Sequence, residues 1–197
     1  MLLETQFRHQ NAYNFHCFLQ EDNVTDGVNQ EETDRVKELI LSNSHWIRND
    51  YEKFVASVAT LKNEYKAFLT LHTADDLRDN NVQTYQLEGY NIGYALYPLP
   101  NGEVDIVSVF NTEPNVRGIV NELLKTAVEN GGTQLDHYDT KLSELYLRNG
   151  FQEVGRDTWN DDYASPYWNY EKFGKPDVVY RKFKQPLQEM YRLLTHT

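Results

Sequence analysis

The stretch PNVRGIVNELL, residues 114–124, is where this chain could hold an anion. Gly118 stands just ahead of an amphipathic run, and a helix start presents unpaired N–H groups and partial positive charge. A glycine there lets an anion approach the backbone closely. Further on, Asp136, His137 and Asp139 in LDHYD set an imidazole between two carboxylates. That arrangement could accept a proton or hold a cation. Trp159, Tyr163, Tyr167, Trp168, Tyr170 and Phe173, with Asp161 and Asp162, could wall a pocket for an amine or simply pin their own loop to the domain. Other chemistries are not written here. The six histidines fall at no zinc spacing, and HExxH, CxxC, GxSxG and Walker patterns are missing, so no metal is expected.

The elements that must position these residues read as follows. AYNFHCFLQ (12–20) suggests a strand. Residues 33–66 read as two helices, the second capped by Ser44 and carrying Trp46, Ile47, Tyr51, Phe54, Val55, Val58 and Leu61 at helical spacing. KAFLTLHT could continue the helix or begin a strand. From residue 84 the pattern alternates, with Tyr90, Ile92, Tyr94 and Leu96 on one face. A turn at 98–102 leads to Val104, Ile106, Ser108 and Phe110 at period two, which predicts a β-hairpin. Leu123, Leu124, Ala127 and Val128 form the stripe of a helix ended by Gly131-Gly132. TQLDHYD, FQEVGRDTW and DVVYRKF predict strands, KLSELYLRNG a short helix, and PLQEMYRLL a last helix opened by Pro186. The order predicts one α/β domain with a mixed central sheet flanked by helices.

Within that order, LSELYLRNGFQEV resembles the most recognisable stretch of the GNAT N-acetyltransferase superfamily. There a helix ending in Leu-Tyr-x-x-x-Gly-Phe follows the fifth strand; here Leu145, Tyr146, Gly150 and Phe151 take those places, about 30 residues after the anion loop. The resemblance runs over residues 84–159. It implies a single GNAT-like domain over 1–197, with a helical front half (33–66), a cofactor and acceptor core (84–183) and a C-terminal helix (186–195). More loosely, the chain resembles divergent members from bacteriophage genomes.

The resemblance also implies roles. The family's loop runs Gln or Arg, two residues, Gly, one residue, then Gly or Ala; this chain reads Asn115, Val116, Arg117, Gly118, Ile119, Val120. Gly118 matches, Asn115 and Val120 depart, and the Val120 side chain is expected to crowd a phosphate. These six residues, with Val109 and Phe110 on the strand before them, are the implied contacts to acetyl-CoA as co-substrate. Tyr146 is the implied acid for the departing thiolate; on its apolar face with Leu142 and Leu145 it reads equally as a core tyrosine. Glu103 is the implied base, and Asp105, Asp136, His137 and Trp168 fall on the acceptor side.

Composition bounds these readings. With 197 residues, 40% of them hydrophobic, the chain can bury one core. A net charge of −11 disfavours the phosphate backbone of nucleic acids and favours cationic partners, besides aiding solubility. Cys17 is the only cysteine, so no intrachain disulfide forms and a reducing cytoplasm fits. MLLETQFRHQ reads as no secretion signal, and no segment approaches the ~20 apolar residues of a membrane span. The expected activity is transfer of an acetyl group from acetyl-CoA to a primary amine of a small cationic molecule or a basic protein. The alternative is a GNAT-like fold without catalysis that binds a protein partner.

Overall fold

Asp50 sets where one of the core helices begins. The computed structural model describes residues 30–113, 116 and 118–184; the expected strand at 12–20, the helix at 186–195, and Asn115 and Arg117 lie outside them. Helix α1 spans Gln30–Asn43. The helix expected from Ser44 is corrected: Trp46–Arg48 form strand β1, and α2 (Tyr51–Ala59) starts after Asp50, whose carboxylate accepts the Lys53 N–H at 2.7 Å. Trp46 and Ile47 fit a helical stripe, but their conformation is set by a distant neighbour. Trp46, Ile47 and Arg48 pair with Leu87, Gln86 and Tyr85. Helices α3 (Asn63–Lys66) and α4 (Ala74–Asp79) follow, α4 closed by a reciprocal Thr73–Asp76 capping box. Between them, residues 67–73 form neither helix nor strand.

The hairpin expected from residue 84 is three strands: β2 (Gln83–Leu87), β3 (Ile92–Pro98) and β4 (Val104–Asn111). Tyr90 falls in the β2–β3 turn. Then come α5 (Val120–Glu129), β5 (Gln134–Tyr138), α6 (Leu142–Arg148) and β6 (Phe151–Asp157). A loop holding the short helix α7 (Tyr170–Phe173) leads into β7 (Val178–Phe183).

The strands form one seven-stranded sheet in the order β1-β2-β3-β4-β5-β7-β6. Every neighbour pair is antiparallel except β4–β5, which is parallel. The mixed α/β domain is thus as the sequence predicts. Helices cover both faces. On one, Ile40 of α1, Leu123, Leu124 and Ala127 of α5, and Leu145 and Tyr146 of α6 pack with Ile106, Val109 and Leu135. On the other, Phe54 and Val58 of α2 and Leu77 of α4 pack with Ala95, Val107 and Phe110.

A bulge in β4 breaks the period-two reading. Ser108 has φ +49°, and the β3–β4 register slips between Gly93↔Phe110 and Ala95↔Val107. One extra residue on β4 turns the following side chains over. Phe110 therefore joins Val107 on the α2–α4 face, and Val109 takes the place beside Ile106.

Candidate active site

Beside that bulge the sheet opens. β4 and β5 share one register pair, Asp105↔Gln134, at their first turns of chain. Thr133 clamps this end: its N–H donates to Val104 O, and its Oγ1 accepts the Val104 N–H, both at 2.9 Å. Beyond Gln134 the two strands continue without further register pairs, and each has its other neighbour on its far side. Strand edges that part in this way can in general pair with another amide-bearing group; here the residues that line the parting are buried.

The open end leads to the anion loop. Asn111 is buried and anchors it, donating from Nδ2 to Val116 O at 2.8 Å and accepting the Glu113 N–H at 2.9 Å. Gly118 has φ +67°, in the left-handed region where a side chain is disfavoured. Ile119 is the N-cap of α5 and gives no side-chain cap to this ten-residue helix; a helix start in general directs its first N–H groups outwards, where an anion or water can accept from them. The Val116 N–H is directed to Glu113 O at 3.3 Å.

Val120 is where the expectation changes. Its side chain is fully buried with Ile119, Leu123 and Leu124 on the α1–α5–α6 face, where it packs as a core residue. Helical phase places it one turn before Leu124, on the core side. Val120→Ala should therefore destabilise the fold by about 1–3 kcal/mol, through lost burial and a cavity, and leave CoA affinity unchanged. Thermal melts and calorimetry check both halves; a tenfold gain in affinity would mean the side chain does face the ligand.

Tyr146 lies on α6 beneath the sheet, fully buried. Its ring is 4.9 Å from that of His137 and 6.3 Å from that of Phe151. Strand alternation puts Asp136 and His137 on opposite faces. His137 turns towards Tyr146, and the two roles read for LDHYD separate. His137 is held in the core: Nδ1–H donates to Tyr138 O at 2.7 Å, so Nε2 accepts from Arg181 Nε at 2.8 Å. With both nitrogens engaged and burial pushing its pKa down to about 4, it stays neutral near pH 7. The sign is clear. His137 favours folding fully above pH 6.5, and that contribution is lost as pH falls towards 4, because only the unfolded chain readily takes the proton. The loss is roughly 3 kcal/mol. Denaturant titrations between pH 7 and 4 should show it in the native chain, and His137→Gln should flatten that part of the curve.

The α2–α4 side of the opening collects the polar groups. Asp105 Oδ1 accepts from Gln134 Nε2 at 2.6 Å, which leaves Gln134 Oε1 buried without a hydrogen-bond partner among the described residues. Glu103 is ion-paired with Lys182 and accepts from Asn101 Nδ2 at 2.9 Å. Asp105 pairs across the sheet with Tyr97, whose ring lies 6.3 Å from His72. Burial lowers the His72 pKa against the pull of Asp76, and raises that of Tyr97, with Asp105 and Asp76 adding to the rise. Asp136 is buried on β5 opposite Tyr180. Trp168 is buried too, its ring 4.5 Å from Tyr138, 4.7 Å from Trp159 and 5.2 Å from both Phe68 and Phe173. Tyr163, Tyr167 and Tyr170 of the same loop are exposed.

Sequence reasoning missed His72, Asn111, Gln134 and Arg181. His72 and Asn111 each close an apolar run, which is a faint signal. Gln134 and Arg181 matter only through residues distant in sequence. Among the described residues no group of three His, Cys, Asp or Glu could hold a metal ion, and no helix is long and apolar enough to cross a membrane.

No family model and no curated protein matches this chain. Solved structures do resemble it. An N-acetyltransferase from Staphylococcus aureus Mu50 is 16% identical, covers 72% of this chain and 97% of its own, and has a TM-score of 0.49. A GNAT family acetyltransferase from Elizabethkingia anophelis, solved with acetyl-CoA bound, is 22% identical over 56% of this chain and 80% of its own, with a TM-score of 0.39. N-acetylglutamate synthase from Neisseria gonorrhoeae, complexed with coenzyme A and L-arginine, is 13% identical over 72% of this chain but 34% of its own, with a TM-score of 0.46.

Proposed function

We propose that this chain is a divergent GNAT acyltransferase that moves an acetyl group from acetyl-CoA to a primary amine by direct attack. The observation that carries the reading is the opening between β4 and β5, which runs from the Asp105↔Gln134 pair towards the start of α5. Its donor and acceptor set fits the co-substrate. Strand edges suit an amide-bearing arm, and Gly118 with the α5 N–H groups suits a pyrophosphate. Bound there, acetyl-CoA supplies an acyl carbon already activated as a thioester. LYLRNGF then supplies the acid, Tyr146, at the helix beneath the opening.

Asp105 and His72 are the better placed proton acceptors for the attacking ammonium, because Glu103 is committed to Lys182 and the turn. A His72 held neutral near pH 7 suits that task. Gln134 Oε1, beside Asp105, can accept from an amine N–H. Asp105, Asp136 and the net charge of −11 favour a cationic acceptor, either a small amine or a lysine of a basic protein.

The test is release of free thiol from acetyl-CoA at pH 8 with a polyamine, an aminoglycoside and a lysine-rich peptide. Saturable release with at least one supports the proposal. Release no faster than the uncatalysed background with all three would leave the chain a binding protein.

A further inference from the structure

Arg181 is a buried cation that the reaction as described does not use. It is 5% exposed, and among the described residues no carboxylate lies within ion-pair distance. Its Nε donates to His137 Nε2 at 2.8 Å and its Nη1 to Phe151 O at 3.1 Å. A buried cation without a contacting carboxylate is costly, and such costs gather at functional sites. His137 and Phe151 are the two residues whose rings lie beside Tyr146, and Tyr146 is within electrostatic reach of the guanidinium. The other charges Arg181 senses are Glu153 and Arg156 on β6 and Asp139 after β5. Those three are exposed and engage one another, Arg156 binding both Asp139 and Glu153.

We infer that Arg181 is a positioning residue for Tyr146: through His137 it fixes the ring, and its charge offsets the charge left on the phenol oxygen. This rests on the acyl-transfer reading. In the step concerned, the Tyr146 O–H bond breaks and an S–H bond forms on the departing CoA thiolate. The electron pair stays on the phenol oxygen as phenolate, and a proton from solvent restores the phenol. Arg181 lies within electrostatic reach of that transient anion, and a fixed cation acts more strongly in a buried setting than in water. His137 cannot carry the charge itself. Its Nδ1 proton is directed to Tyr138 O, and it serves as a rigid spacer.

The test is a double-mutant cycle. Arg181→Met should lower kcat at least tenfold with KM for acetyl-CoA unchanged, and should have no further effect in a Tyr146→Phe background. An equal loss in both backgrounds would overturn the inference. Arg181→Lys keeps the charge but loses the Nε donor, and should retain more activity than Arg181→Met; if Arg181→Met does not fold, a fully active Arg181→Lys overturns the positioning role. A second readout needs no turnover. With 13C-labelled tyrosine, the Tyr146 resonance, identified by its loss in Tyr146→Phe, should titrate at higher pH in a folded Arg181 variant than in the native chain. No difference would remove the electrostatic link. If the native chain shows no acetyl transfer but this difference is present, the acyl-transfer reading fails and the Arg181–Tyr146 coupling stands.

Discussion

Tyr146→Phe should lower turnover by about 10²-fold or more, the ordinary range for loss of a general acid, while CoA affinity and the fold are kept. The substitution removes only the hydroxyl. The ring stays between His137 and Phe151, 4.9 and 6.3 Å away, so the packing of α6 against the sheet is preserved. Burial of Leu142 and Leu145 on the same face holds the helix independently. The stability change should therefore lie within about 1–2 kcal/mol of the native value. The measurement is kcat at saturating acetyl-CoA and amine, with a thermal melt as control. Unchanged kcat would reduce Tyr146 to the core tyrosine that its apolar face also describes.

Gly93→Ala should destabilise the domain by about 3 kcal/mol, at the upper end of overpacking costs. A Cβ at Gly93 would stand 2.6 Å from Tyr85 O on β2 and 2.9 Å from the Phe110 ring on β4. The first neighbour is backbone in a paired strand, so neither strand yields without loss of the ladder. Phe110 has no easier escape, because it packs edge-on against Phe54 with ring centres 5.5 Å apart. A loss of that size lowers the melting temperature by roughly 6–12 °C for a domain this long. Gly93 also lies opposite Phe110 where the bulge begins, so CoA affinity should fall with stability. Combining Gly93→Ala with Phe110→Leu should recover part of the loss, from the ring clash and not from Tyr85 O. A melt within 2 °C of the native one would contradict the close β2–β3–β4 packing.

Much of the fold was legible because local signals agreed with it. Gly131-Gly132 and Gly150 end α5 and α6 where the sequence places them. The Val178–Phe183 strand needed only its β-branched run. What the sequence concealed was set by distant partners. Trp46–Arg48 became a strand through β2, and β7 entered the sheet between β5 and β6, neither of which local periodicity encodes. The bulge at Ser108 is a single residue in the left-handed region, and nothing in VDIVSVF announces it.

The site divides the same way. Gly118 could be read from the chain alone as a turn position, and its φ of +67° agrees with that. Val120 could not, because whether its side chain meets the core or a phosphate depends on the phase of α5. LDHYD read as one cluster, whereas strand alternation sends Asp136 and His137 to opposite faces of the sheet, His137 to Arg181.

The most direct measurement is calorimetric titration of the protein with CoA. Saturable binding at one site per chain is expected, weakened when Gly118 is replaced by valine, on the proposal that the opening between β4 and β5 and the start of α5 hold CoA. No heat of binding at millimolar CoA would contradict it.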